Sequence, residues 1–133
     1  MLDIIKHIEV GDEKYPIAFT LNVMEAIQDK YGSLEAWGKV LQPEKGEPKI
    51  KDLKWTFTQF INEGIDIENE EKNENRDFIT EKQAGRIISV IGMEKITDTI
   101  FKTSIESINV GEEKNRITKQ KQMEWLILLG FYL

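Results

Sequence analysis

The chain has 133 residues, no cysteine, one histidine, and 24 acidic against 18 basic side chains, for a net charge of −6. Its length suits one ordinary domain, and 40% hydrophobic with 32% charged residues places it among soluble globular proteins. Disulfides, thiolate zinc sites, iron–sulfur clusters and cysteine nucleophiles are excluded, and the acidic balance argues against a nucleic-acid binder.

The N-terminus reads as a β-hairpin over residues 4–20. Ile4 to Val10 is β-branched, Tyr15, Ile17 and Phe19 alternate, and Gly11-Asp12-Glu13-Lys14 between them reads as a four-residue turn. Pro16 lacks a backbone donor and marks either an edge strand or the start of a bulge. His7 faces outward on the first strand, either as a rim residue or as a ligand or acid–base group.

The period then changes from two to helical. A helix over about 22–31 starts from Asn22 as N-cap with Glu25, faces inward through Val23, Met24, Ile27 and Tyr31, and stops at Gly32. Ser33 caps a second helix over 33–41, with Leu34, Trp37, Val40 and Leu41 inside. Pro43 to Pro48 is a polar breaker.

A third helix is expected over 50–63. Ile50, Leu53, Phe57, Phe60 and Ile61 form one stripe, and Gly64 ends it, with Ile65 and Ile67 folding back. Trp55 lies on the opposite side of that helix from Leu53. Either the helix is buried on more than one face, or Trp55 is a partner-facing anchor.

Glu68 to Asp77 contains five acids, two bases and no apolar residue, and reads as a loop. Thr80 with Gln83 makes a capping box, with Ile79 at the staple position, and opens a helix over 81–91 facing inward through Ala84, Ile87, Ile88 and Ile91. Gly92 stops it. The last helix, over 93–108, carries Met93, Ile96, Ile100, Phe101, Ile105 and Ile108 inward.

Residues 109–122 read as a polar linker with a basic surplus, including Lys114, Arg116, Lys119 and Lys121. Residues 123–133 are apolar at nine of eleven positions. At helical spacing, Trp125, Leu126, Leu129, Tyr132 and Leu133 suit a helix docked on the chain's own body. With Phe131, they equally suit a segment that docks on another protein or another copy.

Signatures of chemistry are missing. No P-loop, dinucleotide fingerprint, HExxH, EF-hand loop or nucleophile elbow occurs. The acids of the 68–77 run lack the glycine and spacing of a calcium loop, and carboxylate pairs such as Glu63 and Asp66 mean nothing without a pocket. The chain therefore reads as a non-enzymatic protein with no cofactor, no metal site, no nucleic-acid partner and no membrane-spanning segment. The expected fold class is α+β, mainly α: a hairpin packed on four to five helices within a globular unit over 1–108, followed by the linker and the apolar segment.

Several runs carry a family likeness: Tyr15-Pro16-Ile17-Ala18-Phe19-Thr20-Leu21-Asn22, then Met24-Glu25-Ala26-Ile27 ending at Lys30-Tyr31-Gly32-Ser33. Trp55-Thr56-Phe57-Thr58-Gln59-Phe60-Ile61-Asn62-Glu63-Gly64 follows, then the acidic insert, then Thr80-Glu81-Lys82-Gln83-Ala84-Gly85-Arg86. Over about residues 8–108 this order resembles the small tail assembly chaperones of long-tailed phages and of prophages in Gram-positive bacteria. The resemblance implies a binding protein that coats the tape-measure protein, recruits tail-tube subunits, works in the host cytoplasm and is absent from the finished virion. Apart from the resemblance, docking of the apolar end on another copy would make a homo-oligomer. The apolar end, Trp125 to Leu133, departs from the polar end expected of a short family form. The rival reading is a structural virion component, such as a head–tail connector or minor tail protein. The candidate partner-binding residues are Trp55, Trp125, Leu126, Leu129, Phe131 and Tyr132.

Overall fold

The hairpin is shorter and tighter than the pattern suggested. A computed structural model describes residues 5–115, with side chains described through Ile108. β1 (Lys6–Val10) pairs antiparallel with β2 (Glu13–Ile17), in a register running from Lys6 opposite Ile17 to Val10 opposite Glu13. Only Gly11 and Asp12 lie between the strands. Gly11 has φ +60°, which the first central position of a two-residue hairpin turn requires. The expected four-residue turn is thus corrected: Glu13 and Lys14 already belong to the ladder.

Five helices follow among the described residues: α1 (Leu21–Tyr31), α2 (Leu34–Leu41), α3 (Ile50–Lys72), α4 (Glu81–Ile91) and α5 (Met93–Asn115). With the two-stranded sheet they make the α+β, mostly helical fold. The N-cap of α1 is Thr20, not Asn22: the Thr20 hydroxyl accepts the Asn22 N–H at 3.2 Å. Ser33 caps α2 through the Ala36 N–H at 3.0 Å. Thr80 and Gln83 form both bonds of the capping box on α4.

α3 departs most from expectation. It does not stop at Gly64 but runs 23 residues, about 34 Å, to an Asn73 cap in the left-handed region at φ 53°. Gly64 has a tertiary reason instead. A Cβ there would lie 2.6 Å from both the carbonyl carbon and the oxygen of Pro16, so the bare glycine lets β2 rest directly on the helix. Ala18 N–H then donates to the Phe60 carbonyl at 3.0 Å. Because the helix continues, Ile65 extends the buried stripe rather than folding back onto it. The stripe begins at Leu53, and Ile50 is exposed. The charged run is likewise split: Glu68 to Lys72 is helical, and the connection begins at Asn73.

α5 also outruns its expected end at residue 108, so the first part of the anticipated linker, through Asn115, is helical. Residues 116–133, including Trp125, Leu126, Leu129, Phe131 and Tyr132, lie outside the described residues.

The core gathers Ile17 and Phe19 from the hairpin exit with the inner faces of all five helices. Trp37 sits at its centre, fully buried, 6.2 Å from Phe19, 6.4 Å from Phe60 and 5.6 Å from Phe101, centroid to centroid. Its indole N–H is satisfied by the buried Thr56 hydroxyl at 3.1 Å, which removes the cost of burying a donor.

Substituting Gly64→Ala should force β2 off α3. A loss of about 1–3 kcal/mol, the cost typical of overpacking, is expected in urea unfolding, with the hairpin contacts weakened first.

Candidate interaction surface

α3 holds its neighbours through the polar residues between its apolar positions. Asn62 clamps Ile79: its Nδ2 donates to the Ile79 carbonyl at 3.1 Å, and its Oδ1 accepts the Ile79 N–H at 2.8 Å. Asn69 treats Arg76 identically, with both bonds at 3.0 Å. The geometry explains the pairing. Seven helical residues rise about 10.5 Å, and three extended residues span about 10 Å. The segment from Arg76 to Ile79 can therefore lie along α3 with both ends held.

Arg76 also ties this strap to the hairpin. Its guanidinium donates to the Lys14 carbonyl at 2.8 Å, lies 3.4 Å from a Glu13 carboxylate oxygen, and sits 4.9 Å from the centre of the Tyr15 ring. Ile79 turns into the core, whereas Asp77 and Phe78, between the clamps, turn out.

Phe78 is 57% exposed and borders a cleft of about 200 Å³ between α1 and α3, floored by Asn22, Gln59, Asn62, Glu63 and Asp66. Glu63 braces the near wall. It accepts a short hydrogen bond from the Thr20 hydroxyl and a 3.1 Å bond from Asn22 Nδ2, so the cap of α1 is locked to α3. Leu21, between those two residues, is 79% exposed. Among the described residues neither Glu63 nor Asp66 has a basic partner. The result is an acidic cleft with one uncovered aromatic side chain, Phe78, on its rim, and a second exposed apolar residue, Leu21, next in the chain to its lining residue Asn22. Exposed apolar area of this kind marks contact surfaces.

Trp55, the sequence candidate within the described residues, is half-buried. Tyr31 meets it edge-on at 5.6 Å, and the Lys30 ammonium lies 5.1 Å from its ring centre. The Tyr31 hydroxyl donates to Asp52 at 2.7 Å, and burial, reinforced by that carboxylate, pushes its pKa well above the ordinary tyrosine value. Trp55 therefore packs against the core beneath its own neighbours. Phe78 was missed because nothing periodic surrounds it; the Asn62–Asn69 spacing was the available signal.

His7 reaches the far end of α3, with Nε2 2.7 Å from a Glu68 carboxylate oxygen, while Lys72 approaches the same oxygen at 3.4 Å. Burial alone would raise the Glu68 carboxyl; the hydrogen bond and charge of His7, aided by Lys72, outweigh it and hold Glu68 below its usual value. Lys6 pairs with Glu106 and fastens β1 to α5. No group of three or more metal-ligating side chains occurs among the described residues. Among the same residues no helix is long and apolar enough to cross a membrane.

No family model, curated protein or solved structure matches the chain.

Asn62→Ala should leave the part-buried N–H and carbonyl of Ile79 without partners and cost about 1–3 kcal/mol in chemical unfolding. Glu68→Gln tests the His7 contact. A carboxyl depressed in the folded state stabilises above its unfolded value and loses that effect as pH falls through its folded value. The gap in urea midpoint between wild type and Glu68→Gln should thus be open near neutral pH and close in acid.

Proposed function

We propose that this protein is a non-enzymatic phage or prophage tail assembly chaperone, which acts by reversibly covering the apolar helical stripes of a tape-measure protein and bringing tail-tube protein to it. The observation that carries this reading is Phe78. It is held outward between two side-chain clamps on a body with a net charge of −6, and Leu21 at the start of α1 is exposed as well. Apolar contact area on a like-charged, mutually repelling body is what a holding protein needs: the area binds the client, and the charge keeps the complex dispersed. No bond is made or broken in such a mechanism. Trp55 and the apolar residues Trp125, Leu126, Leu129, Phe131 and Tyr132 are further candidates for contact with partners.

The reading places the protein in the host cytoplasm during assembly and outside the finished particle. A structural tail or connector component would instead remain in it. Mass spectrometry of purified particles should find no copies of this chain, whereas stoichiometric copies would favour the structural alternative. Co-expression with the tape-measure protein should keep that client in the soluble fraction. The double substitution Leu21→Ser and Phe78→Ser should reduce the soluble client at least about fivefold, the effect of losing a central aromatic contact, without changing the chain's circular dichroism.

A further inference from the structure

We propose that the α1–α3 cleft beneath Phe78 is the seat of the chain's own C-terminal segment, residues 116–133, docked in cis. The inference does not rest on the chaperone reading; under that reading, a client reaches Phe78 by displacing this segment.

Charge complementarity points to this occupant. The cleft presents Glu63 and Asp66 with no basic partner among the described residues. The segment opens with Arg116, Lys119 and Lys121 and holds one acid, Glu124. Apolar complementarity follows the same order. After its basic stretch the segment runs Trp125-Leu126-Ile127-Leu128-Leu129, and the cleft is lined by the exposed Phe78 together with Val23.

Two other grooves fit less well. That between β1 and the start of α5 mixes charges, with His7, Glu9 and Lys95. That between the 43–48 loop and α5 carries Glu47, Glu94 and Asp98, but no exposed large apolar side chain lines it.

Reach and concentration favour cis. Eighteen residues span up to about 60 Å when extended, more than the width of a domain this size. A tethered segment meets its own body at an effective concentration of about millimolar, well above that of separate copies in a dilute solution.

Trypsin reads the docking directly, because Arg116, Lys119 and Lys121 are its cleavage sites. The full-length chain is digested briefly, and cleavage after those residues is followed by mass spectrometry at several protein concentrations. Circular dichroism of each variant verifies the fold. Wild type should be cut more slowly than a synthetic peptide of residues 112–133, at a rate constant independent of protein concentration. Phe78→Ser should accelerate cleavage about fivefold or more, since proteolysis follows the population of the open form. Asp66→Lys, at an exposed carboxylate with no partner among the described residues, should do so through charge alone, and the effect of added salt on wild type should have the same sign. Val90→Ser and Asp98→Lys, which lie away from the cleft, should leave the rate unchanged. Cleavage as fast as in the peptide, or rates untouched by both Phe78→Ser and Asp66→Lys, would overturn the proposal. Acceleration by Asp98→Lys alone would move the seat to the other acidic groove and overturn it equally. Protection that grows with protein concentration would make the occupant a second copy and refute docking in cis.

Discussion

The close approach of β2 to α3 at Gly64 sets the position of nearly everything else. A side chain at that point would occupy the space of the Pro16 carbonyl. With only hydrogen there, the hairpin lies directly on the helix, and the chain leaving β2 is delivered into the core at Ile17, Ala18 and Phe19. The Phe19 ring then stands 5.4 Å from Phe60 and 6.2 Å from Trp37, which brings α2 and α5 onto the same cluster. The same contact places β1 so that His7 meets Glu68 one further turn along α3. A two-stranded hairpin is marginal alone in water, so its persistence depends on this support.

α3 also organises the fold through side chains that would ordinarily face solvent. Asp52 takes the Tyr31 hydroxyl, Thr56 the Trp37 indole, Asn62 and Asn69 the backbone of the strap, Glu63 the start of α1, and Glu68 the hairpin. Together these join α3 to both ends of α1, to α2, to the strap and to the hairpin. The two asparagines act as detached pieces of backbone, offering an N–H and a carbonyl where no neighbouring strand is available. They satisfy four polar groups that a connection lying against a helix would otherwise leave without partners. The entropy of fixing the strap is offset by these bonds together with the burial of Ile79 and the stacking of Arg76 on Tyr15.

Signals local to one turn were legible in the sequence. Apolar spacing showed the inner faces of α1, α2, α4 and α5, and the Ser33 cap and the Thr80–Gln83 box stand as read. The errors arose where tertiary contact overrode a local preference. Gly64 has the composition of a helix stop, but its role lies across the interface with Pro16, which no window around residue 64 contains. The acidic run lacked apolar residues, yet Glu68 and Asn69 remain helical because His7 and Arg76, each distant or displaced in sequence, bond to them. Thr20 displaced Asn22 as the cap because Glu63, 43 residues away, orients its hydroxyl. The interaction surface was hidden for the same reason: Phe78 is an isolated aromatic in a polar stretch until Asn62 and Asn69 are seen to fix its direction.

The contrast between Trp55 and Phe78 separates an aromatic that completes a fold from one held away from it. Both lie off the main stripe of apolar positions. Trp55 stands on a helix surface where Tyr31 and Lys30 of α1 can close over it, so its contacts are supplied internally. Phe78 stands between two clamped residues in a nearly taut segment. Rotating it inward would turn Ile79 out of the core or break the bonds that Asn62 and Asn69 make to the adjoining backbone. The fold thus maintains the exposure of Phe78, which local collapse cannot relieve. Such a side chain has little backbone freedom left to lose, so an apolar surface arriving at the cleft, whether from the chain's own end or from another protein, gains its burial at a small ordering cost.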